Sequence, residues 1–256
     1  MNKNYSPVVF MYHGVIAENA HIPEGREPGA DLYDIQVKAF EEQLKCLSQK
    51  GYRATVIEET IEHPEKNITL TFDDGELNNF TCAFPILKQS GFPAYFFVTI
   101  NRIGKKGYMG WEELKELRDS GMIIGSHGVN HLILTELTDK RIEEELVTSK
   151  DVLEQHLKVN VDYFSVPRGF YNERVQQLAL KSGYNKILVS TPPKEPSSFC
   201  IGRLAVKSNW NISRFSQATS GETPVEEKIT HSLKSVMKNM LGTKVYDHFR
   251  TRLLRK

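Results

Sequence analysis

Residues 68–75 of this 256-residue chain have the sequence ITLTFDDG, an apolar, β-branched run that ends in two aspartates and a glycine. Such a run is typical of a buried strand, and Gly75 lets the chain turn where the strand ends. Within a strand the side chains of Asp73 and Asp74 would point to opposite faces, but at its end both carboxylates can reach one pocket. An alternative stays open, in which one aspartate caps the next helix and the other is solvated.

The alternation of apolar strands and helical stretches continues on both sides of this segment. The predicted strands cover residues 7–12, 68–72, 94–99, 122–126, 163–166 and 186–190. Continuous apolar strands separated by helices favour an α/β fold with a parallel sheet covered on both sides. The number of strands fits a (β/α) barrel better than an open sheet, although the sequence alone leaves both open. We predict the barrel over residues 1–223, with its chemistry at the carboxyl ends of the strands. Residues 224–256 are predicted to form a separate basic, amphipathic helical tail.

The composition excludes several classes of protein. Lys and Arg number 33 against 32 Asp and Glu, and a net charge of +1 argues against a globally basic nucleic-acid binder. A hydrophobic fraction of 39% is enough for one large core. The sequence shows no apolar run of the ~20 residues that span a bilayer, no signal peptide and no disulfide framework. We therefore expect a soluble, cytoplasmic, globular protein.

Two histidines follow the predicted strand 122–126. His127 and His131 are four residues apart, which would place them on one face of a helical turn, and neutral imidazole is the commonest metal ligand. Such pairs also occur by chance. Here both the pair and Asp73-Asp74 stand at strand ends of one barrel, and two histidines with a carboxylate are a common ligand set for catalytic zinc or iron. The sequence therefore predicts a hydrolytic metal site.

Two further strand ends belong to the same face of the predicted barrel. His13 follows the strand 7–12; a lone histidine there is usually structural, and only its position makes it a candidate. Residues 164–172 form an ordinary strand–turn–helix, in which Gly169 permits close backbone approach and Asn172 caps the helix.

Three of these segments together resemble the first three motifs of the polysaccharide deacetylases, the NodB-homology group also called carbohydrate esterase family 4. The segments are TFDDG at 71–75, the pair His127 and His131, and PRGFYN at 167–172. The resemblance covers about residues 7–207 and implies a distorted (β/α)7 barrel. By this resemblance Asp73 is the general base, and Asp74, His127 and His131 bind a divalent metal. Zinc is the default expectation, and iron, cobalt or nickel could also occupy an open site of this kind.

The opening residues 12–15 are similar to the branch that deacetylates poly-N-acetylglucosamine and related exopolysaccharides. In that branch the histidine at the position of His13 takes the place of the general acid. By the same resemblance, a backbone N–H near Arg168 faces the oxyanion. Two departures stand out: Ser165 occupies the position where most of the family carries an arginine that orients the base, and no Leu-x-His motif occurs late in the chain.

The predicted activity is hydrolysis of N-acetyl groups of an N-acetylated saccharide, with release of acetate. The alternatives are a small-amide hydrolase acting on ureides, a non-catalytic glycan-binding relative, and, as a poor option, a paired-carboxylate glycosidase, which would need neither histidine. Residues 224–256 are expected to pack on the barrel or to contact an anionic membrane surface. Nucleic acid is not an expected partner.

Overall fold

A parallel sheet forms the centre of the protein. The structure is a computed structural model, which describes residues 7–18, 22–23, 26–190 and 198–220. The strands are β1 (Val8–Tyr12), β2 (Val15–Ile16), β3 (Ile35–Gln36), β4 (Arg53–Ala54), β5 (Asn67–Phe72), β6 (Tyr95–Val98), β7 (Ile123–Ser126), β8 (Tyr163–Ser165), β9 (Lys186–Val189), β10 (Cys200–Gly202) and β11 (Leu204–Ala205). The helices are α1 (Val37–Gln49), α2 (Ile57–Glu62), α3 (Phe84–Ser90), α4 (Trp111–Asp119), α5 (Asp139–Leu157), α6 (Glu173–Lys181) and α7 (Ile212–Ala218).

The sheet closes through a strand that is shared between its two ends. The strand order is β10-β9-β8-β7-β6-β5-β1-β11, with β4 paired to β5 off this path. Only Arg203 separates β10, which pairs with β9, from β11, which pairs with β1. The segment 200–205 thus pairs first with β9 and then with β1, which are the two ends of the sheet. Six strands and this split stretch make the seven members of the barrel, which confirms the predicted (β/α)7 fold.

Alternate side chains of the strands point into the barrel or toward the helices, as the period of two requires. The inward-facing apolar residues of the strands form a small cluster with Ile57 of α2. These residues are Val9, Tyr95, Phe97, Leu188 and Ile201. The larger core lies between the sheet and the helices. It includes Phe10, Phe72, Phe96, Leu146 and Leu153, and each such side chain contributes about 1.5–3 kcal/mol when fully buried. Because both layers are apolar, the polar residues that remain buried concentrate at the carboxyl ends of the strands.

The predicted strands and the larger helices are all present. Asn172 caps α6 as predicted, since its side chain accepts a hydrogen bond from the backbone N–H of Val175 at 3.0 Å. The short elements β4 and α2 were not predicted, because two and six residues carry too little periodicity to stand out. None of the helices in the described ranges has the length and apolar character that crossing a bilayer requires. The predicted tail at 224–256 lies outside the described residues.

Candidate active site

The two aspartates converge because the backbone changes direction between them. Asp73 still continues the strand, and its N–H donates to the carbonyl oxygen of Tyr12 on β1 at 3.0 Å. Asp74 has φ 76° and Gly75 has φ 74°, so the chain turns through the left-handed region at once. A Cβ at Gly75 would lie 3.0 Å from the Val98 side chain, and this crowding together with the positive φ favours glycine. Both carboxylates therefore reach one pocket, where they are 3% and 7% exposed.

The histidines also meet there, but the predicted helical turn between them is wrong. Residues 127–133 form an irregular loop in which His131 has φ 57°. The loop is held by Glu145 of α5, whose Oε2 accepts hydrogen bonds from the N–H groups of Val129 and Asn130, each at 2.9 Å. Gly128 also has a positive φ, 78°, so the backbone between the two histidines leaves the helical region twice and Glu145 anchors the resulting loop. The spacing of four residues brings the imidazoles together by a different backbone path.

Asp74, His127 and His131 form a cluster whose ligand atoms all lie within 4.8 Å of one another. The Nε2 atoms of His127 and His131 lie 3.7 Å and 3.2 Å from Asp74 Oδ1. His127 Nδ1 lies 2.7 Å from the backbone carbonyl oxygen of Ser165. A carbonyl oxygen only accepts, so Nδ1 carries the proton and the Nε2 lone pair is left for a metal. The donor set and its orientation fit a divalent ion.

Asp73 is engaged by different partners. Arg203 donates to both of its carboxylate oxygens, from Nη1 to Oδ1 and from Nη2 to Oδ2, each at 2.7 Å. The hydroxyl of Ser165 donates to Oδ2 at 3.0 Å, and Arg203 Nη2 also donates to that hydroxyl at 2.8 Å. With both oxygens committed, Asp73 is fixed and kept ionised, while Asp74 faces the imidazoles. This division matches the separate roles of base and metal ligand that the resemblance implies.

Arg203 is the functional residue that the sequence reasoning missed. Ser165 stands at the position where most of the family carries an arginine. In this protein the guanidinium next to the base comes from Arg203, at the point where the barrel closes, and the Ser165 hydroxyl lies beside it. The guanidinium also lies over the ring of Phe97, 5.6 Å from its centroid. A signal was present: Arg203 is the only charged residue in the apolar stretch CIGRLAV at 200–206. A single arginine in such a stretch indicates a buried, paired charge.

The electrostatics of the site follow from burial and pairing. Burial alone would raise the pKa of Asp73, but Arg203, His127 and His13 lower it below its usual range. Burial would likewise raise the pKa of Asp74, and His131 with Arg102 lowers it well below that range. Both carboxylates are therefore ionised at neutral pH.

The two imidazoles have opposite shifts. Burial is the main cause that lowers the pKa of His127 to about 4, although Asp73 opposes it. Burial also opposes the charged form of His131, but Asp74 and Glu27 raise its pKa to about 9. Without a metal ion, these shifts favour a neutral His127 and a protonated His131, and a metal ion would compete with the proton of His131.

A second charged pair borders the cluster and was not predicted. Arg102, which follows β6, donates to Asp74 Oδ1 at 2.7 Å and to Glu27 Oε1 at 2.8 Å. Glu27 Oε1 lies 2.6 Å from His131 Nδ1. Glu27 belongs to the Gly-, Pro- and charge-rich stretch between β2 and β3, where no sequence pattern distinguishes one acidic residue from another.

His13 lies at the end of β1, with its ring 4.9 Å from that of Tyr33. Within the described residues, no hydrogen-bond partner is found for its buried Nδ1 atom. Burial lowers the pKa of His13, while the charges of Asp74 and Asp73 act in the opposite direction. His13 follows Tyr12, which pairs with Phe72 of β5, so it stands at the same strand end as the two aspartates.

Arg168 lies in a short turn after β8, Pro167–Gly169, with φ 60°. A Cβ at the next residue, Gly169, would overlap the Ser190 hydroxyl, so the turn packs directly against the end of β9. The backbone here is therefore fixed at the same end of the barrel as the aspartates. That is the placement an oxyanion-binding N–H requires.

Comparison with known proteins agrees with this architecture. The family model for polysaccharide deacetylases matches residues 60–187, which include both aspartates and both histidines but neither His13 nor Arg203. The Bacillus subtilis protein YxkH, assigned to the polysaccharide deacetylases, is 28% identical over 218 residues, or 81% of this chain and 74% of that protein. A peptidoglycan-N-acetylglucosamine deacetylase of Bacillus cereus is 31% identical over 131 residues, or 51% of this chain; the match spans 59% of that enzyme.

Among solved structures, IcaB from Ammonifex degensii superimposes with a TM-score of 0.67 at 26% sequence identity, covering 83% of this chain and 94% of that one. The similarity includes the barrel as a whole and is not confined to the motif-bearing segments. The predicted resemblance is confirmed: this chain belongs to the polysaccharide deacetylase family.

Proposed function

We propose that this protein is a metal-dependent N-deacetylase that hydrolyses the N-acetyl groups of an N-acetylated saccharide and releases acetate. The observation that carries the proposal is the division of labour between adjacent aspartates. Asp73 is ionised and fixed by Arg203, whereas Asp74 shares a cluster with His127 and His131. A glycan-binding relative would have no use for a buried carboxylate fixed next to a metal site.

The chemistry follows from these positions. Asp74, His127 and His131 would hold a divalent ion, which would supply a Lewis acid for the water and the acetamide carbonyl group. Asp73 accepts the proton of the attacking water, and Arg203 keeps its carboxylate aimed and charged. A backbone N–H at Arg168 donates to the oxygen on which negative charge develops. His13 in its imidazolium form, which the charges of Asp74 and Asp73 favour against burial, protonates the leaving amine, because an amide anion is too poor a leaving group to depart unprotonated.

The test combines metal analysis with acetate release. Purified protein is assayed for bound zinc, iron, cobalt and nickel, and for acetate released from N-acetylglucosamine oligomers of different linkage, from peptidoglycan fragments and from a ureide. We expect one divalent ion per chain, zinc by default, and turnover on at least one acetylated saccharide. His131→Ala should remove both the metal and the activity. Turnover on the ureide alone would favour the small-amide hydrolase, and stoichiometric metal with full turnover in His131→Ala would contradict the ligand set.

The role of His13 is tested by comparing leaving groups. An amide needs its nitrogen protonated, whereas an activated acetate ester has a leaving group that needs little help. His13→Ala should therefore reduce kcat on acetylated saccharides by at least tenfold more than on 4-nitrophenyl acetate. Equal losses on both substrates would indicate that His13 is structural.

A cytoplasmic location stays a prediction. Contact of residues 224–256 with anionic membranes also stays a prediction, because that segment lies outside the described residues. A basic amphipathic helix gains about 1 kcal/mol per basic residue near an anionic surface. Co-sedimentation of full-length protein with anionic vesicles should be salt-sensitive, and a chain ending at Thr223 should not bind. Protein that stays in solution with both anionic and neutral vesicles would contradict the membrane contact.

A further inference from the structure

A charged pair outside the metal cluster touches two of its members. Arg102 and Glu27 bind each other at 2.8 Å; Arg102 also contacts Asp74, and Glu27 also contacts His131. The four side chains form a closed ring of contacts. No motif of the family match contains Glu27, which precedes residues 60–187.

Glu27 and Arg102 contact the metal cluster at different atoms: Glu27 at the outer nitrogen of His131, and Arg102 at a ligand oxygen of Asp74. Glu27 approaches Nδ1 of His131, the nitrogen that faces away from Asp74, and so leaves Nε2 directed into the cluster. The negative charge of Glu27, 2.6 Å from that nitrogen, stabilises positive charge on the ring and so favours a cation bound at Nε2. Arg102 donates to Asp74 Oδ1, the same oxygen that both imidazole Nε2 atoms face. A cation fixed on a ligand oxygen repels a metal ion that uses the same oxygen.

The side chains of Arg102 and Glu27 are buried enough for their charges to affect metal affinity. The Arg102 and Glu27 side chains are 15% and 25% exposed, compared with 75% and 38% for Lys181 and Glu143, a surface ion pair between α6 and α5. Screening by water and salt is therefore weaker around the site than around a surface pair. A change of one charge in the ring should alter metal affinity, whereas the same change at Glu143 should not.

We infer that Glu27 and Arg102 are positioning residues that set the metal affinity of the site with opposite signs, Glu27 strengthening it and Arg102 weakening it. This inference rests on the proposed metal site. The opposite signs distinguish it from a simple structural role, because loss of a structural contact on either side would weaken binding. The two charges also cancel, so removing both should largely restore the original affinity.

The experiment measures the Kd for Zn²⁺, without substrate, by calorimetry in the presence of a competing chelator. Glu27→Gln should weaken binding about 10–100-fold, as changes to groups that hold a metal-ligating histidine do. Arg102→Gln should tighten binding about tenfold, because it removes a positive charge from the ligand oxygen. The double variant should lie within about threefold of the wild type if the charges cancel. Glu143→Gln is the matched control and should leave the Kd unchanged.

The outcomes separate failure of this inference from failure of the proposed function. Wild-type protein that binds no Zn²⁺ would overturn the metal site itself. Wild-type binding with both single variants weakened, or both unchanged, would overturn only the roles of Glu27 and Arg102. Thermal unfolding of each variant, and the visible spectrum of its Co²⁺ form, check that the fold and the ligand set are kept.

Discussion

Asp73 and Asp74 are neighbours in sequence, yet they are held by different parts of the molecule. Asp73 is fixed by groups on the barrel itself, namely Arg203 at the closure and Ser165 at the end of β8. Asp74 contacts Arg102, at the end of a short 3-10 helix, and His131, on an irregular loop. The comparison teaches that the base is positioned by the same residue that joins the two ends of the sheet, whereas two of the metal ligands, Asp74 and His131, depend on connections between strands and helices.

The backbone shows the same contrast. Asp73 keeps the extended conformation and the ladder hydrogen bond of a strand, while Asp74 and His131 have positive φ. Non-glycine residues in that region are strained and persist only when their surroundings fix them. Substitutions on the two sides should therefore differ in kind: those around Asp73 should affect the chemistry, and those around Asp74 should affect the metal.

The largest effect is expected for Asp74→Asn. The amide keeps the shape of the side chain but removes the negative charge from the ligand set, and even changes to groups that only hold a ligand cost 10–100-fold in metal affinity. The Kd for Zn²⁺ should rise by more than about 100-fold, and acetate release should fall to the background. Calorimetry and metal analysis measure the first, and an acetate assay measures the second. An Asp74→Asn protein with stoichiometric metal would contradict the assignment.

Asp73→Asn makes the same chemical change one residue earlier and should have the opposite signature. The base is lost but the ligand set is intact, so metal content should be normal while kcat falls about 10²–10⁴-fold. The pair of variants is its own matched control. If metal content falls in proportion to the rate in Asp73→Asn, Asp73 is a ligand and the comparison fails.

Arg203→Lys tests whether the barrel closure positions the base. Lysine keeps the charge but cannot donate to both carboxylate oxygens in the planar geometry of a guanidinium, so kcat should fall about 10–100-fold at unchanged metal affinity. In an Asp73→Asn background the same substitution should have much less effect on kcat, because the group it positions is gone. Additive losses in the double variant would mean that Arg203 acts elsewhere.

Arg203→Met should lower stability as well. It leaves the buried charge of Asp73 without its main partner, and breaking a buried ion pair in this way costs about 3–5 kcal/mol of unfolding free energy. Urea denaturation of the metal-loaded protein measures this. Lys181→Met provides the control, since Lys181 pairs only at the surface, with Glu143 of α5. A similar loss of unfolding free energy in both variants would contradict a particular stabilising role of the buried pair between Arg203 and Asp73.

The sequence predicted the parts of the site that strand ends carry. TFDDG and the two histidines stand directly after apolar strands, and parallel strands bring their carboxyl ends together. Glu145 and Glu27 could not be predicted, because each acts through a loop whose path depends on tertiary contacts. Arg203 could have been recognised as a buried charge, but its partner could not, since Asp73 is 130 residues away along the chain. The helical turn at 127–131 was wrong because Gly128 and His131 have positive φ, in a loop that Glu145 anchors from α5.

The smallest effect is expected for Ser165→Ala, which separates the two contributions of one residue. The Ser165 hydroxyl donates to Asp73, whereas its backbone carbonyl oxygen contacts His127 Nδ1. Alanine removes the first contact and keeps the second, so metal affinity should be unchanged. Arg203 still holds both oxygens of Asp73, and the loss of one hydrogen bond among three should lower kcat about three- to tenfold.

Ser149→Ala provides the matched control for that measurement. Ser149 is a buried serine whose hydroxyl contacts Ser126 at 2.7 Å and has no contact with Asp73 among the described residues, so its loss should leave kcat unchanged. If Ser165→Ala also changes the Kd for Zn²⁺, the base and the metal ligands are coupled through β8. The two aspartates would then be held by one network and not by two separate parts of the molecule.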